Sequence, residues 1–69
     1  MPERLINHLK ERRTELGLTQ AELADRVGVT RKTVNTVENG VFTPSTILAL
    51  KLAEALDRRV EELFSLIED

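Results

Sequence analysis

Apolar residues recur along the chain at helical spacing, in short blocks separated by glycine, proline or polar caps. Leu9 and Leu16 predict a first helix from about His8 to Leu16, with Asn7 as its N-cap and Gly17 as its stop. Pro2, which has no backbone N–H, is expected in a loose terminus. Leu23, Ala24 and Val27 mark a second helix. Thr19 stands before it and Glu22 follows three residues later. That is the capping-box pattern: the hydroxyl accepts a backbone N–H and the carboxylate reaches back to the cap's own N–H. Gly28 supplies the left-handed backbone at which this helix stops. Thr30 is the N-cap of a third helix with Val34 and Val37 inside. After Gly40 and Pro44, Ser45 caps a fourth helix from about Thr46 to Leu56. Ile47, Leu50, Ala53 and Leu56 form one stripe of it, and Leu48 and Leu52 make it apolar on a second side. Such a helix is central in the core or has a partner. Val60, Leu63 and Phe64 predict a last short helix. Leu18 fills the gap before Thr19, and Phe42 is expected as a plug against the core.

The polar side of the third helix carries the chemistry. At about 100° per residue, Lys32, Asn35, Thr36 and Asn39 cluster opposite Val34 and Val37, with Arg31 at the N-terminal end. No acid lies among them. Arg and Lys suit guanine edges and phosphates, Asn suits adenine, and Thr meets a polar edge or a thymine methyl. A solvated surface would also be polar. The capped helix before it and the Gly turn between them favour a helix that enters a major groove, in a helix-turn-helix spanning residues 19–38.

Composition narrows the alternatives. Sixty-nine residues suffice for one small domain with a thin core, taken as 1–69. With no Cys and one His, no metal site is expected, and no cofactor or small-molecule ligand is implied. No apolar run approaches a membrane span, so no membrane partner is expected and the default localisation is cytoplasmic. The net charge of −2 speaks against a non-specific DNA coat, but the charge is uneven. Residues 1–39 carry seven Lys/Arg against six Asp/Glu, and residues 40–69 carry three against six. The reading helix is locally basic. Arg13 falls on the inward stripe of the first helix, four residues after Leu9, and an unpaired charge there is costly.

The stretch LGLTQAELADRVGVTRKTVNTVENG resembles the helix-turn-helix of phage repressors and of the Xre family of regulators. NHLKERRTELGLTQAELA, ENGVFTPS, LALKLAEAL and VEELF extend the likeness, in order, to the very small members of that family, over roughly Leu5 to Leu66. The resemblance implies an all-α fold of five helices. In the smallest members it also implies a short β-ribbon, here residues 4–6 with 65–67, which the sequence alone does not separate from added helical turns. It further implies a homodimer on a palindromic double-stranded DNA operator. By position, Gln20 would contact phosphate. Arg31, Lys32 and Thr36 would face base edges, with Thr30, Thr33 and Asn35 adjoining. Asn39 and the loop to Thr43 would hold the DNA backbone, and Arg13 would pair with Glu38.

Two departures stand out. Asp57, Arg58 and Arg59 replace the family's Gly, apolar residue and cap before the last helix. Val41 stands where many relatives carry a basic residue. Leu63, Phe64, Leu66 and Ile67 crowd the C-terminal end and are the expected dimer interface. The favoured function is a sequence-specific DNA-binding transcriptional regulator, a repressor. The alternative is an antitoxin or interaction module whose DNA binding is secondary. With carboxylates spread over solvated helices and no deep pocket expected, no catalytic residue is assigned and an enzyme is not expected. Regulation is expected from concentration, modification or a partner, since no ligand domain is recognisable.

Overall fold

The computed structural model describes residues 3–68, so the expectation for Pro2 lies outside it. The order is β1 (Glu3–Asn7), α1 (Leu9–Glu15), α2 (Gln20–Val27), α3 (Arg31–Glu38), α4 (Thr46–Leu56), α5 (Val60–Leu63) and β2 (Phe64–Glu68). Five helices are thus closed by a two-stranded antiparallel ribbon of the first and last segments. Its register pairs Leu5 with Leu66 and Asn7 with Phe64. The ribbon is one residue longer at each end of each strand than residues 4–6 and 65–67, and Phe64 begins β2 instead of ending α5.

The N-caps predicted at Thr19, Thr30 and Ser45 are in place. Thr19 Oγ1 accepts from Glu22 N at 3.0 Å, and Glu22 Oε1 accepts from Thr19 N at 2.9 Å. Thr30 Oγ1 accepts from Thr33 N at 3.2 Å, and Ser45 Oγ from Leu48 N at 3.1 Å. Each satisfies one of the N–H groups that the first turn of a helix leaves without a partner. Gly28 ends α2 at φ 74, in the left-handed region where a Cβ is costly. Asp57 ends α4 in the same region, at φ 54, so the chain takes the family's left-handed turn without its glycine. Arg59 offers no acceptor to α5. Only the reverse half of a capping box forms there, with Arg59 N donating to Glu62 Oε1 at 2.9 Å.

Leu9, Leu23, Leu52, Leu56 and Leu63 are fully buried at the centre, ringed by Leu18, Ala24, Val27, Val34, Val37, Ala53 and Phe64. Three expectations change here. First, Leu16 follows the end of α1 and is exposed; with the helix already closed at Glu15, Leu18 takes the core position. Second, Phe42 is about half exposed and not a core plug. Val41 N and Phe42 N both donate to Thr36 O, at 2.9 and 3.2 Å, which folds the loop back over the end of α3 and leaves the ring outside. Third, Leu63 and Phe64 are buried within this chain, so little of their surface is left for a partner.

Asn7 is not the N-cap residue, a place His8 takes, yet its side chain does a cap's work. Its Oδ1 accepts from Leu9 N at 3.2 Å. Its Nδ2 donates to Val37 O at 3.0 Å and lies 3.4 Å from Glu38 O. One amide therefore opens α1 and closes α3. Similarly, Arg12 Nε donates to Leu56 O at 2.8 Å, at the C-terminal end of α4. The sequence did not single out Arg12. Its only signal is a long cation on a helix that ends beside another helix's free carbonyls.

Candidate nucleic-acid interface

Helix α3 is anchored from behind. Val34 and Val37 are buried in the core, and α2 packs along it after the Gly28 turn. The opposite face presents Arg31, Lys32, Asn35 and Asn39 exposed, with Thr36 half-buried among them, while Thr33 is half-buried on the flank beside Val29, Val34 and Val37. Thr30 is exposed at the N-terminal edge, where its hydroxyl lies 3.1 Å from that of Thr33. Thr43 is exposed in the loop beyond. Gln20 is half-buried at the first turn of α2. The fold thus brings Gln20, Arg31, Asn35 and Asn39 together along α2 and α3, with Thr43 in the loop beyond.

The charge on this side is not what stability would select. Helix N-termini favour anions, by about 0.3–1 kcal/mol each. The first turn of α3 instead holds Arg31 and Lys32 and no acid. Two cations added to the positive end of a helix concentrate potential suited to a polyanion. Beside Arg31 a shallow depression of about 500 Å³, of mixed polar and apolar lining, runs past Thr19, Gln20 and Arg13.

Beneath the face lies the ion pair that the stripe on α1 demanded. Arg13 Nε donates to Glu38 Oε2 at 2.7 Å and Arg13 Nη2 to Glu38 Oε1 at 3.1 Å. The side chains are 12% and 2% exposed. Arg13 Nη1 also donates to Leu18 O at 2.8 Å, and the Glu38 carboxylate raises the Arg13 pKa further above its ordinary value. Gln20 Nε2 donates to Glu38 Oε1 at 3.1 Å. Gln20 Oε1 lies 3.5 Å from Asn35 Nδ2, and Asn39 Nδ2 donates to Asn35 Oδ1 at 3.2 Å. The sequence reading placed Gln20 near phosphate and missed that it joins the buried carboxylate to the exposed amides.

The family model for helix-turn-helix domains matches residues 9–63, most of the chain. The chain belongs to the Xre-like helix-turn-helix family. It is 55% identical over 62 residues to an HTH-type transcriptional regulator of Methanothermobacter thermautotrophicus, covering 88% of this chain and 90% of that one. It is 43% identical over 63 residues to the HTH-type regulator YgzD of Bacillus subtilis, covering 91% and 96%. Among solved structures it resembles the restriction-modification controller protein C.AhdI of Aeromonas hydrophila, at 44% identity and a TM-score of 0.74 over 78% of each chain. A protein of Bacteroides fragilis, at 24% identity and a TM-score of 0.80 over 88% of this chain and 98% of that one, shares the fold. The Xre-like chain is a DNA-binding transcriptional regulator of helix-turn-helix type. No helix among its described residues is long and apolar enough to cross a membrane.

Proposed function

We propose that this regulator is a repressor that binds a palindromic operator as a homodimer, with α3 of each copy in the major groove. The observation that carries the reading is the acid-free polar face of α3, held rigidly by Val34, Val37 and the Arg13–Glu38 pair. Arg31, Lys32 and Thr36 meet base edges. Thr30, Thr33 and Asn35 adjoin them, and Gln20, Asn39 and Thr43 approach the DNA backbone on either side. One short helix touches only a few base pairs, and a second copy doubles the contacts at a half-site spacing of about 34 Å. The likeness to a restriction-modification controller supports a regulatory role for a domain of this size.

The dimer reading rests on apolar surface that the monomer does not cover. Paired strand residues share a face, and that face alternates along a strand. Leu66 therefore continues the side of the ribbon that Leu5 and Phe64 turn inward, yet it is 65% exposed. Next to it a groove of about 350 Å³ is lined by Leu5, Pro44, Ala49, Leu50, Val60 and Phe64. Leu50 is 57% exposed, and Ile47 continues the apolar stripe along α4. An apolar surface of this extent suits a second copy of the chain. Ile67 adds a partly exposed apolar side chain on the other ribbon face.

The test is affinity for a duplex enriched from random DNA by the wild-type protein. Arg31→Ala and Lys32→Ala should each weaken it by about 1–3 kcal/mol. Their thermal stability should stay within about 0.5 kcal/mol of wild type, as for other surface positions. Unchanged affinity in both variants would remove α3 as the reader.

A further inference from the structure

The buried carboxylate of Glu38 has a directional effect on the surface above it. An ionised carboxylate only accepts hydrogen bonds. Glu38 Oε1, already bonded to Arg13, therefore takes Gln20 by its Nε2 and not by its Oε1. That choice turns Gln20 Oε1 toward Asn35, whose Nδ2 faces it at 3.5 Å, the long end of a hydrogen bond. Asn35 Oδ1 is then left to accept from Asn39 Nδ2. Three amides, each of which could be reversed at little steric cost, are polarised in series by one charge.

We infer that Asn35 reads an adenine edge, and that Glu38 and Gln20 are positioning residues which fix the orientation of its amide for that contact. After its two internal bonds, the Asn35 amide retains one N–H and one oxygen lone pair. Adenine presents N7, an acceptor, and the N6 amino group, a donor, on its major-groove edge. The residual donor and acceptor of Asn35 match that pair. Arg31 and Lys32 provide only donors and suit guanine or phosphate. Asn35 thus adds a second base type to the recognition surface. A freely rotating amide would lose entropy on ordering, whereas the relay orders it in advance. The assignment rests on α3 being the reading helix, and the experiment separates the two.

The wild-type protein, Asn35→Ala, Gln20→Met, Arg31→Ala and Lys32→Ala are each used to enrich binding sites from a library of random duplexes. Affinities are then measured for the wild-type site and its single-base-pair variants. Wild type should enrich a site with an A·T pair in each half. Asn35→Ala should lose discrimination at that pair by about tenfold to a hundredfold. Gln20→Met, which keeps the half-buried stem but cannot orient Asn35, should lose about tenfold at the same pair and little at the others. Arg31→Ala and Lys32→Ala should lose discrimination at different pairs.

A bond from Gln20 to phosphate alone predicts another pattern. Gln20→Met would then weaken every duplex equally and leave the base preference intact. That result overturns the relay, and an A·T preference retained in Asn35→Ala overturns the adenine contact. Loss of all preference in wild type, or unchanged binding by both cation variants, overturns α3 as the reader and the inference with it. Circular dichroism of Gln20→Met confirms the fold. If that variant unfolds, Gln20→Leu takes its place, with the same base preference as the readout.

Discussion

The α2–α3 end of the molecule and the ribbon–α4 side hold their surfaces by opposite means. At the recognition end, polar side chains are exposed and tied together by hydrogen bonds that lead down to a buried ion pair. On the ribbon side, Leu66, Ile47 and Leu50 are exposed, and the groove between ribbon and α4 is almost wholly apolar. The polar surface is ordered by hydrogen bonds within one copy. The apolar surface has the character of half an interface. A polar site that reads bases needs fixed directions, which hydrogen bonds supply. An association surface needs area removed from water, which has no direction.

Breaking the anchor of the recognition end should have the largest effect. Glu38→Ala leaves the Arg13 guanidinium largely buried without its carboxylate and frees Gln20. Removing one partner of a buried pair costs on the order of 3–5 kcal/mol. Urea unfolding of Glu38→Ala should show a midpoint lowered accordingly, out of a total stability that is small for a chain of this length. A midpoint within error of wild type would mean that water replaces the carboxylate and that the recognition end does not depend on the pair.

The apolar side is broken differently. In a Leu66→Glu, Ile67→Lys double variant two charges replace exposed apolar groups, so the core residues Leu63 and Phe64 stay in place. Sedimentation should show dimer dissociation at least tenfold more favourable than in wild type, about 1.4 kcal/mol or more. Melting of the monomer should change little. If the dimer survives intact, Leu50→Glu on the groove wall is the next variant, and its failure would detach the apolar surface from assembly altogether. A wild-type chain that stays monomeric until it meets a palindromic duplex would place dimerisation on the DNA.

The same division explains what was legible in the sequence. Thr19, Thr30 and Ser45 were visible because capping is local: the acceptor and its N–H lie three residues apart. The Arg13–Glu38 pair is remote in sequence, yet a cation on an apolar stripe announces that a partner must exist. The ribbon is not separable in sequence from added helical turns, because Arg4-Leu5-Ile6 fits either and only pairing with a segment about sixty residues away decides it. Leu16 and Phe42 depart from their expected core places for a related reason. Helical spacing does not say where a helix stops, and the turn over Thr36 O that leaves Phe42 outside depends on backbone bonds rather than hydropathy. Likeness to the family points to Gln20, but its bond to Glu38 joins residues eighteen apart in sequence and follows only from how α2 and α3 pack.

The smallest expected effect compares two helix starts that share one chemistry. Glu22 and Glu62 each accept the backbone N–H three residues back, from Thr19 and Arg59, and each has its pKa lowered by that bond first. A carboxyl whose pKa is lower folded than unfolded contributes its full stabilisation above the ordinary carboxylate range. That contribution fades as pH falls through the folded value, because the unfolded chain then binds more protons. The amide of Gln can still accept the N–H but does not titrate there. Glu22→Gln and Glu62→Gln should therefore each flatten the loss of Tm between neutral pH and about pH 3. The change should be larger for Glu22. There the Thr19 hydroxyl completes the reciprocal box, whereas Arg59 provides no acceptor in return. Equal flattening in the two variants would show that the carboxylate's bond to the cap N–H acts alone at both sites. A wild-type pH slope retained in Glu22→Gln would show that this bond is not held in solution, and that α2 starts on the Thr19 hydroxyl by itself.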